Sequence, residues 1–229
     1  MQKDETLQFW DDFYTSESQQ AKHNKEWIVQ PHHALLDKLL KGLNDDPANN
    51  NGVYRILEIG CGTSTLSRDL YLYHRQQRQT RYHSHGAPPS LYVLATDVSP
   101  VCIQQIRQRD AKLLVQSQQQ SQQQSSSSQP PTKNITGLDY QVLNLAHPPP
   151  PELIASFDVV LDKGCLDTFL FRSRHRGPQP PVLVQTVLRH VVQCLRKNLP
   201  HDDNGNDNNN NDSKARYLIL SPRRKIKVV

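Results

Sequence analysis

The chain has 229 residues, enough for one α/β domain with a sizeable core. Its hydrophobic share is 35%, diluted by two polar low-complexity stretches, and its net charge of +5 permits an acidic partner or nucleic acid without requiring one. The four cysteines lack Cys-x-x-Cys spacing, so neither a metal site nor a disulfide framework is indicated, and no stretch approaches the roughly 20 apolar residues that span a bilayer.

Residues 1–43 read as a helical lead-in. Phe9, Trp10, Phe13 and Tyr14 recur at helical spacing, which predicts an amphipathic helix. Phe9 and Phe13 are expected to pack on the sheet, whereas Trp10 and Tyr14 carry polar atoms that suit a ligand pocket. After Trp27 and Ile28, Pro31 opens a second helix with Leu35, Leu36, Leu39 and Leu40, closed by Gly42. Ile56, Leu57 and Ile59 form a short apolar run bounded by turn residues, the pattern of a buried strand. Gly60 and Gly62 follow, then Leu66, Leu70 and Tyr71 at helical spacing, giving a helix over about 64–74. Strand, glycine turn and helix form a geometry in which backbone N–H groups approach a ligand closely.

Residues 75–90 interrupt the pattern as a polar surface insertion. Leu91 to Ala95 is the second predicted strand, with Asp97 at its carboxyl end. Ser99 caps the next helix and Pro100 takes its first position. A carboxylate at that strand end can accept ribose hydroxyls; the alternative is an Asx turn at the helix start. Residues 116–133, almost all Gln and Ser, are expected to be disordered. Leu138 to Leu143 is the third strand, ended by Asn144, and Phe157 to Leu161 is the fourth. A charged segment, Asp162-Lys163-Gly164-Cys165-Leu166-Asp167, follows it directly. A helix is expected from Val182 to about Asn198, a second disordered insertion over 201–214, and a fifth strand from Ala215 to Leu220. Strand–helix alternation predicts one Rossmann-like, doubly wound domain over 1–229, with a mostly parallel sheet and helices on both faces.

Two cofactor classes use such a glycine turn. Dinucleotide folds want a third glycine where Thr65 stands, which counts against a nicotinamide oxidoreductase. Glu58-Ile59-Gly60-Cys61-Gly62-Thr63-Ser64 instead resembles motif I of class I S-adenosylmethionine (SAM) methyltransferases. Leu161-Asp162-Lys163-Gly164-Cys165-Leu166-Asp167 is similar to the Asp-Lys-Gly-x-Leu-Asp signature of the group that includes lysine methyltransferases of a translation elongation factor and of citrate synthase. Phe9-Trp10-Asp11-Asp12-Phe13-Tyr14, with Trp27 beyond it, resembles that group's aromatic lead-in.

The resemblance implies cofactor contacts from Trp10, Tyr14 and Trp27, from Glu58, Gly60 and Gly62, and from Asp97 and Val98. It further implies Asn144, Leu145, Asp162 and Lys163. Asn144 replaces the usual Asp, which changes the donor pattern offered to adenine. The family sheet carries antiparallel sixth and seventh strands; here the pattern stops after the fifth, so a sheet lacking both is expected, and either 222–229 is a substitute or the chain is a truncated or misassembled product. The function implied is SAM-dependent methyl transfer to a protein lysine in the cytoplasm, with no membrane partner and no catalytic base assigned. SAM binding without turnover, and nucleic-acid methylation, are the alternatives.

Overall fold

The computed structural model describes residues 5–16, 33–40, 53–81, 90–122, 137–169, 182–196, 216–221 and 224–228. The apolar run around Ile56 forms strand β1, Val53–Ile59, buried on both faces from Ile56 onward. Such a strand belongs in the middle of a parallel sheet. It pairs in parallel with β2, Ser90–Asp97, on one side and with β4, Val159–Asp162, on the other. Strand β3, Leu138–Val142, lies outside β2, and β5, Arg216–Ser221, lies outside β4. With β6, Arg224–Val228, at the far edge, the described strands run in the order β3-β2-β1-β4-β5-β6. The chain thus builds outward from β1 to β3 and then returns to the opposite side of β1. In open α/β sheets, ligands bind beyond the strand carboxyl ends at this reversal.

Adjacent residues of each strand point to opposite faces, so the sheet sorts its side chains into two cores. One core joins Ile56, Val93 and Leu161 to α2 (His33–Leu40), α3 (Leu66–Arg81) and α4 (Pro100–Gln122). The other joins Leu57, Ile59, Leu94 and Val160 to Phe157 and to Val187, Val191 and Cys194 of α5 (Val182–Cys194). Helices on both faces of a mostly parallel sheet are what the alternating pattern predicts. A first helix, α1 (Glu5–Thr15), lies against α4 rather than on the sheet.

Four expectations are corrected. The helix after the glycine turn does not stop near residue 74: α3 continues through Arg81, into the stretch expected to be a loop. Arg and Gln are good helix formers, and Arg78 reaches Ser90 Oγ at 3.0 Å, so polarity there marks a solvated helix. Likewise α4 continues through Gln122, into the Gln/Ser stretch expected to be disordered. The sheet does not end at β5. Strand β6, Arg224–Val228, pairs antiparallel with it, with Leu218 opposite Val228 and Ile219 opposite Lys227. Its short basic sequence, Arg-Lys-Ile-Lys-Val, suits an edge, where charge discourages further pairing. Finally, Phe9 is 46% exposed, and Tyr14 is the deeply buried aromatic of α1. The expected insertion 201–214 and Trp27 lie outside the described residues.

Candidate active site

Gly60 and Gly62 have φ of +56° and +54°, the left-handed conformation that lets the chain turn sharply out of β1. Neither position accepts a side chain easily. A Cβ on Gly60 would lie 2.5 Å from Cys165 Sγ, and one on Gly62 would lie 3.1 Å from Tyr14 Oη. The turn is fastened to β2: Cys61 N–H donates to Thr96 O at 2.8 Å, and Thr96 Oγ1 donates to Glu58 O at 2.9 Å. Glu58 itself is fully buried beneath the turn, and its Oε2 accepts the Ser67 hydroxyl. The turn is thus held by its own neighbours in β1, β2 and α3.

Asp97 ends β2 directly beside this turn. Its Oδ2 accepts Gly62 N–H at 3.0 Å and its Oδ1 accepts Ser99 N–H at 3.0 Å. The Asx turn and the site position are therefore both realised, one on each oxygen. Ser99 Oγ meanwhile caps α4 through Cys102 N–H at 3.1 Å. Burial pushes the Asp97 carboxyl up to about 6, against the opposing effect of the N–H donors from Ser99, Gly62 and Val98. Three N–H donors leave one of the carboxylate's roughly four lone-pair sites for a further hydroxyl donor.

Helix α1 is tied over the same place. Ser99 Oγ donates to Asp11 Oδ1 at 2.5 Å, and Gln105 Nε2 donates to Tyr14 O at 3.1 Å. Trp10 stacks on Tyr14 with ring centroids 6.1 Å apart. Burial, and then the nearby Asp97 charge, keep the Tyr14 phenol protonated well above its usual range. Beyond β3, Leu143 N–H donates to Asp97 O at 2.9 Å, which brings Asn144 and Leu145 alongside. Asn144 Oδ1 accepts Ala146 N–H at 3.0 Å, and Leu145 O lies 2.8 Å from His190 Nδ1.

On the far side of β1, Asp162 is fully buried and caps the helical turn over 165–169, accepting Cys165 N–H at 2.7 Å. Tyr217 Oη donates to its other oxygen at 2.7 Å. Asp162 is therefore an anchor that presents Lys163 and presses Cys165 against Gly60. Burial raises its carboxyl, more than these donors lower it. Lys163 is itself buried; burial, and then the nearby Asp97 charge, push the Cys61 thiol well up, and the Lys163 charge opposes them only in part.

Trp10, Tyr14, Gly60, Gly62, Asp97, Val98, Asn144, Leu145, Asp162 and Lys163 thus gather at the carboxyl ends of β1, β2, β3 and β4. Two supporting groups escaped the sequence reading. Tyr217 lies in β5, where its ring looks like ordinary core. The second is a charged cluster of Arg68, Arg109 and Asp110 with Tyr140, in which Asp110 is fully buried. The one signal for it was an Arg–Asp pair on a helix otherwise read for its apolar positions.

A mostly parallel sheet with this strand order, a glycine turn after β1 and an acid closing β2 make a Rossmann-like α/β fold. No family model matches the chain. Over 188 residues it is 25% identical to the mitochondrial citrate synthase-lysine N-methyltransferase of Danio rerio, covering 82% of this chain. The chain spans 61% of the length of that relative. Among solved structures, one described by the conversion of a disulfide bond into a thioacetal group during echinomycin biosynthesis superposes with a TM-score of 0.52. It is 15% identical, with 93% of this chain and 58% of that chain covered, and shares the fold. The magnesium protoporphyrin IX methyltransferase of Synechocystis with bound SAM matches with a TM-score of 0.45 and 13% identity, covering 96% of this chain and 77% of that one. Among the described residues no helix is long and apolar enough to cross a membrane.

Proposed function

We propose that the chain binds SAM and transfers its methyl group to a protein lysine. The observation that carries this reading is Asp97, at the end of β2 next to the turn that leaves β1, with Oδ2 bonded to Gly62 N–H at 3.0 Å. The carboxylate that suits a ribose and the turn that admits the amino-acid end are held as one unit. The residues fit the cofactor: Asp97 keeps acceptor capacity, the glycines leave the turn without side chains, and Trp10 and Tyr14 stand over it. Asn144 and Leu145, carried beside Asp97 by the Leu143–Asp97 bond, would meet the adenine, and Lys163 would border the cofactor on the other side of β1. Glu58 and Asp162 serve through the backbone they brace.

Bound SAM supplies an electrophilic sulfonium methyl: the acceptor nitrogen forms the new C–N bond as the C–S bond breaks and its electron pair goes to sulfur. Such a reaction depends on positioning and on a site that favours loss of positive charge. The protein groups provide orientation, and no catalytic base is required if the acceptor arrives as a neutral amine and sheds its proton to solvent afterwards. Buried surroundings favour the neutral amine. The lysine acceptor is supported by the Asp-Lys-Gly-x-Leu-Asp segment at 162–167 and by the lysine methyltransferase relative. Four free thiols support a reducing compartment, and the cytoplasm is the setting we propose.

The test is incubation of the chain with methyl-tritiated SAM and a dialysed cell lysate, followed by acid hydrolysis of the protein fraction. Label in methyl-lysine is expected. Label confined to nucleic acid would refute the acceptor class, and binding of SAM without label anywhere would refute turnover.

A further inference from the structure

The glycine turn lacks the third glycine of dinucleotide folds, and the residue in its place is part of a chain of side chains that leaves the turn and comes back to it. Thr65 Oγ1 donates to Asp69 Oδ2 at 2.7 Å. Asp69 Oδ1 accepts Arg68 Nε at 2.9 Å and Nη2 at 2.8 Å. Arg68 Nη1 donates to Asp110 Oδ1 at 3.2 Å. Asp110 in turn accepts Arg109 through Nε at 2.6 Å and Nη2 at 2.9 Å. Arg109 then closes the ring, donating from Nη1 to Thr63 O at 2.7 Å and from Nη2 to Ser64 O at 3.0 Å. Tyr140 Oη donates to Asp110 at 2.6 Å and fixes the ring to β3.

The ring spans α3, α4 and β3 but begins and ends on residues 63–65. Its most buried member, Asp110, is fully out of water and held by Arg109, Tyr140 and Arg68, which keep its carboxyl below the usual range despite burial. Charge-assisted bonds of this kind are the stronger class, and the planar guanidinium fixes direction as well as distance. Peptide planarity transmits that direction. With the Thr63 carbonyl held toward Arg109, Ser64 N–H faces the other way and donates to Cys61 O at 3.2 Å, which closes the glycine turn; with the Ser64 carbonyl held likewise, Thr65 N–H also points away from Arg109. The turn so fixed leads directly into the N-terminus of α3, where the helix favours an anionic group.

We infer that Arg109 is a positioning residue for the cofactor's amino-acid end: through Thr63 and Ser64 it presets the turn that receives the carboxylate. This rests on the SAM reading above. Arg109 touches no part of the ligand in this account. It acts through the backbone, and it does so only while the ring to Thr65 is closed.

The experiment is calorimetric titration of the wild-type chain, Arg109→Lys and Thr65→Val with two ligands. S-adenosylhomocysteine carries the amino-acid end; 5′-methylthioadenosine lacks it and keeps the ribose. Lysine keeps the charge beside Asp110 but has no fork to hold two carbonyls, and valine keeps the shape of Thr65 without its hydroxyl. Arg109→Lys is expected to bind S-adenosylhomocysteine about tenfold more weakly, and Thr65→Val several-fold more weakly, with 5′-methylthioadenosine unchanged in both. Equal S-adenosylhomocysteine affinity in variants and wild type overturns the inference. So does an equal loss for both ligands, which marks general loosening of the fold. If Arg109→Lys fails to fold, Thr65→Val decides by the same criteria. Wild-type chain that binds neither ligand defeats the SAM reading itself, an outcome distinct from all of these.

Discussion

Gly60 and Gly62 share a backbone conformation but not a neighbourhood, so the same substitution at each has different consequences. Alanine at either position takes the left-handed strain of a non-glycine residue, about 1 kcal/mol. At Gly62 the new methyl meets the Tyr14 hydroxyl at 3.1 Å, the far end of a side chain. At Gly60 it lands 2.5 Å from Cys165 Sγ and 2.6 Å from Cys165 Cβ, with the Cα at 3.4 Å. Cys165 cannot withdraw, because its N–H is bonded to the buried Asp162 at 2.7 Å. Overpacking of that kind adds about 1–3 kcal/mol, so Gly60→Ala should cost roughly 2–4 kcal/mol in all. For a chain of this size that is a fall in Tm of roughly 5–15 °C, against roughly 2–4 °C for Gly62→Ala. Thermal melts followed by circular dichroism measure both. Adding Cys165→Ala to Gly60→Ala should recover part of the loss, since Sγ is one of the atoms struck. A Gly62→Ala variant as destabilised as Gly60→Ala would refute the reasoning, because the contact with Cys165 would then count for nothing.

Asp97 holds its proton more tightly folded than unfolded, at about 6 against 3.8, so its contribution to stability is complete below 3.8 and lost as pH rises through about 6. Ligand binding runs the other way, because the ionised carboxylate is the hydroxyl acceptor. Affinity for S-adenosylhomocysteine should be level above pH 7 and about tenfold weaker at pH 5, and an affinity unchanged over that range contradicts the ribose role. Phe157 is fully buried in the second core, so Phe157→Ala should cost about 3–5 kcal/mol in urea denaturation. A loss under about 1 kcal/mol would mean that this core is not built as described. Asp110→Ala leaves Arg68 and Arg109 facing a gap, and both are partly solvated, so about 3 kcal/mol is expected in the same assay; no change would show the cluster to be peripheral.

Much of this fold was legible because apolar runs and breaks carry period and length. The run at Ile56, the glycine turn and the acid after Ala95 gave β1, β2 and the carboxylate at the end of β2 without any long-range information, whereas the strand order and its reversal between β1 and β4 came only with the fold. Position was less legible than identity. Asp97 was read as a choice between an Asx turn and a site group, yet its two oxygens serve both, a fact of geometry that spacing does not encode. Tyr14, rather than Phe9, is the buried aromatic because the orientation of α1 is set by the bonds from Ser99 to Asp11 and from Gln105 to Tyr14 O, donors distant in sequence. The Arg109 ring was invisible because its members are common surface types, and only the fold brings residues 63–69, 109–110 and 140 together. Helical polar stretches were misjudged for a related reason: Arg and Gln make good helices while offering no apolar stripe to detect. Strand β6 falls within the tail 222–229 named as a substitute, and its antiparallel pairing with β5 is what the basic pentapeptide alone does not reveal.

The account's central claim is that this site takes SAM, and calorimetric titration of the wild-type chain with SAM beside Asp97→Ala tests it most directly. Saturable binding by the wild type, lost or strongly weakened in a variant that still melts cooperatively, is the predicted result. A folded wild-type chain that shows no heat of binding, or an Asp97→Ala chain that binds as tightly as the wild type, would contradict it.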